Sequence, residues 1–287
     1  PRLPHEAIPV NLKNERKIWE ALIVDMPVGA LIRNLAKLTS IGIIGPASGQ
    51  SKGIAERITD VEAIRRARVH PISLLNALVT YQSGHGVKGS LTWTPDRRII
   101  DALNDGFYQA FRTVEPTNKA FCLGLDVSGS MAGTKVLGME NMRAHQLVGA
   151  MALTTASVEK NYHTVAFNSK AHPLDISPRQ RLDDVVKTLA AMNGSTNCAA
   201  PIEWATANRV PVDVFVLYTD LQSWDGQMHP YQALQEYRQK MGIPAKLVVS
   251  AFAAYKWSLH TERDPGCLDV VGMDSNVPSI ISDFATN

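Results

Sequence analysis

Phe121-Cys122-Leu123-Gly124-Leu125-Asp126-Val127-Ser128-Gly129-Ser130-Met131 is the stretch on which the reading of the fold turns. An unbroken apolar run of strand length stops at an aspartate, and hydroxyls follow at 128 and 130. A strand buried on both faces reads this way, and its carboxyl end is where a parallel sheet presents polar groups. Spaced by two along an extended loop, Asp126, Ser128 and Ser130 can aim three oxygens to one side, with Gly129 giving a tight turn between the serines. Oxygen-only donors favour a hard cation, magnesium or manganese, that keeps waters and open positions. Hydroxyls are neutral, so such an ion retains positive charge and favours an outside carboxylate or phosphate as its last ligand.

Working outward, the pattern from Thr117 onward alternates. Strands are expected at 120–125, 162–167, 212–218, 245–252 and 268–272, and helices near 138–159, 181–192, 200–208, 229–241 and 276–285. This predicts an α/β doubly wound, mainly parallel sheet whose ligands bind beyond the carboxyl ends of its strands. Upstream the periodicity is helical. Ile18, Trp19, Leu22 and Ile23, then Leu31, Leu35 and Leu38, mark short helices between Glu15 and Leu38. Others are expected over Lys52 to Arg68, Pro71 to Tyr81 and Arg97 to Phe111. The expected division is an all-α helical-repeat segment, 1–116, followed by the α/β domain, 117–287.

The Asp-x-Ser-x-Ser loop resembles the metal-ion-dependent adhesion site of von Willebrand factor A-type domains, which adds a threonine from a later loop and an aspartate after a later strand. Thr196, in Gly194-Ser195-Thr196-Asn197, and Asp220, directly after Val212 to Thr219, stand in that order. The resemblance thus implies Asp126, Ser128, Ser130, Thr196 and Asp220 as metal ligands, with Asp220 acting through water. A capping loop would account for each part singly but not for their coincidence. Trp224, in the loop after Asp220, is the aromatic that sequence distance puts beside the site.

Apolar content of 45% with 20% charged residues is ordinary for a folded globular chain. No segment is long and apolar enough to span a bilayer, and the N-terminal stretch lacks a signal peptide's apolar centre. Three scattered cysteines argue against a disulfide framework and for a reducing, cytoplasmic setting. Charge is uneven: residues 1–115 carry 15 Lys+Arg against 11 Asp+Glu, a net +4, and 116–287 carry 14 against 16, a net −2. The helical part is therefore the expected polyanion surface.

A wider likeness covers nearly the whole chain. Lys17-Ile18-Trp19-Glu20-Ala21-Leu22, Met26-Pro27, Arg68-Val69-His70-Pro71, Gly84-His85-Gly86 and Thr113-Val114-Glu115-Pro116-Thr117 resemble the Ro ribonucleoprotein autoantigen family. In that family a HEAT-like helical ring, the TROVE module, is closed by a von Willebrand A-type domain. Residues 1–115 look like the last segment of such a ring. The resemblance implies binding of noncoding RNA, Y-type or misfolded, and an acidic protein ligand or exoribonuclease partner, with no membrane. Recognition of RNA ends by shape needs basic grooves. The candidates are Lys13, Arg16, Lys17, Arg33, Lys37, Arg65, Arg66, Arg68 and Lys88, with Arg33 and Lys37 on one helix face by their spacing.

Enzyme chemistry is disfavoured. A phosphoryl-transfer site of dehalogenase type needs a second aspartate at 128, and neither serine has the flanking glycines of a hydrolase elbow. Gly84-His85-Gly86-Val87-Lys88-Gly89 carries the letters of a dinucleotide fingerprint but follows a helix, so it reads as a connection. The sequence therefore favours a non-enzymatic RNA-binding component with a metal site. The alternative is a metal-dependent adhesion module alone, its RNA binding lost with the missing repeats.

Overall fold

The computed structural model describes residues 7–9, 12–87, 89–221, 226–253 and 264–287. The chain divides into two units, Pro1–Val114 and Glu115–Asn287.

The first unit is helical: α1 Arg16–Ile23, α2 Val28–Arg33, α3 Leu35–Ser40, α4 Gln50–Thr59, α5 Val61–Arg66, α6 Pro71–Ser83 and α7 Arg97–Ala110. Its core is the set of positions that recur every three or four residues, among them Leu31, Leu38, Ile58, Ile64, Ile72 and Leu103, all fully buried. Two expectations need correction. The single helix over Lys52 to Arg68 is broken at Asp60, whose carboxylate accepts the backbone N–H groups of Glu62 (2.8 Å) and Ala63 (3.1 Å) and starts α5. A side chain that caps competes with continuation of the helix. Arg33 and Lys37, expected on one helix, lie on α2 and α3, separated by Asn34. Gly84 ends α6 at φ 72°, and Trp93 returns over it, its indole N–H donating to Tyr81 O at 2.8 Å. The glycine-rich connection thus folds back onto α6.

His70 gives this unit a pH dependence. Its Nδ1 accepts the Ile72 N–H (3.2 Å) at the head of α6, and burial pushes its pKa from 6.5 down to about 4. The folded chain keeps the ring neutral while the unfolded chain takes up a proton. Stability is therefore complete above the unfolded pKa and drains as pH falls from 6.5 toward 4, by roughly 2–3 kcal/mol. Urea unfolding across that window should show the loss, and His70→Asn, which keeps an acceptor for Ile72 N, should flatten it.

The second unit follows β1 Phe121–Asp126, β2 Lys135–Val136, β3 Met139–Arg143, α8 Ala144–Val158, β4 Tyr162–Phe167, β5 Ala171–Leu174, α9 Leu182–Ala190, α10 Ala200–Ala207, β6 Val214–Thr219, α11 Pro230–Met241, β7 Lys246–Ala251, β8 Cys267–Val271 and α12 Val277–Thr286. The main sheet has the order β5-β4-β1-β6-β7-β8, parallel except for β5 at its edge. Helices flank it. Cys122, Phe215, Leu217, Leu247 and Val249 share one core with α10 and α11, while alternate residues such as Leu123, Leu125 and Val216 are buried on the opposite face.

Two further corrections fall here. The helix expected over 138–159 starts only at Ala144. Residues 139–143 pair instead with 135–136 as a hairpin, burying Met139 and Met142 and turning at Gly138 with φ 88°. The strand β5 was absent from the expectation because four residues containing Pro173 carry little strand signal. The chain leaves β1 toward β4 on one side and leaves β6 toward β7 on the other. The crevice at the carboxyl ends of β1 and β6 is therefore the topological switch point, where open α/β sheets bind ligands.

Candidate metal centre

Both strands that border this crevice end in a carboxylate. Asp126 terminates β1 and Asp220 follows β6 directly, and each is fully buried. Asp126 Oδ1 accepts the Ser128 N–H (2.8 Å), and Oδ2 accepts the Thr219 hydroxyl (2.5 Å). Asp220 Oδ1 accepts the Ser130 hydroxyl (3.1 Å), and Oδ2 accepts that of Thr134 (2.7 Å). The hydroxyls of Ser128 and Ser130 are 3.2 Å apart. Four of the five anticipated residues, Asp126, Ser128, Ser130 and Asp220, therefore meet in one hydrogen-bonded cluster. Thr196 is buried in a loop that reaches the cluster's edge, where Gly129 N donates to Gly194 O at 3.1 Å.

The local geometry differs from expectation in one respect. The serine loop is not extended throughout: Gly129–Ala132 forms a 3-10 turn, and Gly129 is not at a positive φ. A Cβ at 129 would lie 2.8 Å from Asn193 Oδ1, so a larger residue there would have to displace the Asn193 side chain. Leu221, just past Asp220, does take φ 54°, its N–H bonded to Thr219 Oγ1 (3.1 Å). Thr134 and Thr219 went unread in the sequence. Thr219 had a signal, a hydroxyl at the end of a buried strand beside the aspartate. Thr134 had none, because its bond to Asp220 spans 86 residues.

The electrostatics favour a cation. Burial pushes the Asp126 carboxyl up from 3.8 to about 6; hydrogen bonds from Ser128 and Thr219 act against this, and the neighbouring charge of Asp220 adds to it. Among the described residues every donor to Asp126 is neutral, and the one charged group acting on it is another carboxylate. Two buried carboxylates ringed by hydroxyls form a hard, oxygen-only donor set, which magnesium or manganese fits. Among the described residues no group of three or more His, Cys, Asp or Glu is gathered as a metal site, so this fit depends on hydroxyls.

The basic candidates are more dispersed. Arg16 pairs with Glu20 (2.7 Å), and Arg65 pairs with Glu62 and donates to Arg112 O (3.3 Å). Lys37 Nζ donates to Asn14 Oδ1 (2.5 Å). Lys13 is half-buried, and Lys17, Arg33, Arg66 and Arg68 are exposed. Lys88 and Trp224 lie outside the described residues.

An open, mainly parallel sheet with flanking helices, bearing an Asp-x-Ser-x-Ser loop at its switch point, defines a von Willebrand factor A-type domain. The Ro60 vWA domain model matches residues 120–285, and the TROVE domain model matches residues 4–79. The chain belongs to the Ro60 family. It is 40% identical over 287 residues to the RNA-binding protein RO60 of Caenorhabditis elegans, covering 99% of this chain and 44% of that relative. It is 38% identical to the RNA-binding protein RO60 of Deinococcus radiodurans, covering 99% and 54%. The crystal structure of the Deinococcus radiodurans RO (RSR) protein superposes with a TM-score of 0.92 at 37% identity, over 99% of this chain and 58% of that one. The chain spans about half the length of the curated relatives it matches.

Proposed function

We propose that this chain is a non-enzymatic RNA-binding ribonucleoprotein component, acting in the cytoplasm, that pairs a basic helical surface for noncoding RNA with a divalent-metal site for an acidic protein ligand. The observation that carries the metal half is the pair of buried carboxylates, Asp126 and Asp220, bridged by hydroxyls at the sheet's switch point. Asp126, Ser128, Ser130 and Thr196 would hold magnesium or manganese, with Asp220 behind them. Bound there, the ion would offer an open position to a partner's carboxylate. Thr219 and Thr134 hold the two carboxylates in place through neutral donors, so these partners bring no positive charge that would compete with the ion. An exoribonuclease bearing an exposed acidic residue is one partner of the right chemistry.

The RNA half rests on the names of the relatives and on the net +4 of residues 1–115. Exposed Lys17, Arg33, Arg66 and Arg68 are the better phosphate contacts, since Arg16 and Arg65 already have carboxylate partners. A Y-type or misfolded RNA with a single-stranded 3′ tail would meet this surface through its backbone, so affinity should fall steeply with salt. In an electrophoretic mobility assay the 287-residue chain should shift such an RNA, and a chain beginning at Thr117 should not. Equal shifts would move the RNA site to the sheet domain. No shift by either would favour the second reading, an adhesion module alone.

A further inference from the structure

The sheet domain has a second concavity, at the amino-terminal end of β4, the opposite end from the carboxylate cluster. It holds about 380 Å³ and is walled by His163 of β4, Pro173 and Asp175 from β5 and the turn after it, and Trp204 of α10. The strand register explains this set. Val165 and Phe167 belong to the core under α10, so His163 falls on their side of β4, and Val165 stands opposite Pro173 in the ladder. The rings of His163 and Trp204 lie 5.9 Å apart at 57° and form an open notch.

Three features suit this notch to a cation. The Trp204 indole N–H, the His163 ring and the Asp175 carboxylate have no hydrogen-bond or ion-pair partner among the described residues, so their polar capacity is unspent. Among the described residues Asp175 is also the only carboxylate that lines the groove, and no Lys or Arg does. Its mount is fixed on both sides: Thr164 Oγ1 donates to Leu174 O (2.6 Å) and Tyr162 OH to Ile176 O (3.0 Å). A carboxylate and an aromatic ring lining one groove can together attract a guanidinium or ammonium group, and pre-organisation lowers the entropy lost on capture.

We propose that this groove captures a cationic side chain, arginine or lysine, of a protein partner, with the cation over Trp204 and paired with Asp175. Pro173 removes a donor from the outer edge of β5, which disfavours addition of a whole peptide strand and favours capture of one side chain. A stacked nucleobase is the competing occupant. The lone negative charge in the groove and the net −2 of residues 116–287 oppose the phosphate that a nucleotide would bring.

The test uses the intact chain labelled with ¹⁵N, titrated in parallel with N-acetyl-arginine methylamide, N-acetyl-lysine methylamide and adenosine monophosphate. The Trp204 indole N–H resonance is assigned by its loss in Trp204→Phe. One of the cationic probes should shift it saturably in the millimolar range, and Asp175→Asn, a surface change that leaves the core intact, should weaken that binding about threefold or more. Loss of the shift at high salt would agree. No saturable shift with either cation up to about 50 mM, well past the affinity of a single side chain, would overturn the proposal. So would saturation by the nucleotide with undiminished affinity in Asp175→Asn. Magnesium has no part in this assay, so failure of the metal site and failure of the groove are separate results.

Discussion

Calorimetric titration with magnesium is expected to show one site in the intact chain and none in Asp126→Asn. Losing an outer partner of a metal site costs about 10–100-fold in affinity, so losing a charged ligand should reach at least the upper end of that range. Thr196→Ala should weaken binding by a smaller factor. Thr219→Val, which removes the donor to Asp126 Oδ2, should cost roughly tenfold without removing any ligand. A second measurement separates this from simple damage. Asp126 is fully buried beside Asp220, and burial has already pushed its carboxyl up to about 6. The metal-free chain therefore carries an uncompensated charge, and Asp126→Asn should stabilise it near neutral pH, on the order of 1–3 kcal/mol. A variant that no longer binds the ion yet unfolds at a higher temperature is what two buried, like-charged carboxylates predict. Unchanged magnesium binding in Asp126→Asn would remove the metal reading.

The second large effect concerns packing. At Gly124, in the middle of β1, an added Cβ would lie 2.5 Å from Leu217 Cδ2 and 2.9 Å from the Pro201 ring. The leucine tip can rotate away; the proline ring cannot, because it opens α10. Gly124→Val should therefore cost about 3 kcal/mol or more by overpacking, even though valine suits a strand better than glycine by up to about 1 kcal/mol. For a unit of this size each kcal/mol moves the midpoint by roughly 2–4 °C, a shift that thermal unfolding of the sheet domain would resolve. A neutral or stabilising outcome would mean that α10 is free to lift from the sheet. Because α10 begins four residues after Thr196, the same substitution should also weaken magnesium binding.

How much of this was readable beforehand follows from the range of each interaction. The strands β1 and β6 are nearly continuous apolar runs, β4 and β7 carry apolar centres, and the limits of all four fell within two residues of expectation. The resemblance to the adhesion-site pattern is what paired Asp126 and Asp220 in the sequence, and the observed order puts the ends of β1 and β6 side by side. What escaped depends on contacts that no local window holds. Thr134 meets Asp220 across 86 residues, and the side chain that approaches Gly129 belongs to Asn193, far along the chain. The 135–143 hairpin was hidden because Met139 and Met142 continue the helical spacing of α8. Asp60 breaks a helix by capping the next one, a competition that periodicity does not register.

Leu221 carries a last implication. A leucine held left-handed, at φ 54°, is a conformation that side chains other than glycine resist, at a cost of about 1–3 kcal/mol. Here the residue is also buried, so glycine would relax the backbone but surrender the apolar anchor. The polypeptide is thus bent and pinned in the same place, one step beyond Asp220. The direction in which that carboxylate faces is inherited from a tensioned corner, and loosening the corner would blur the aim of an acid that never itself changed.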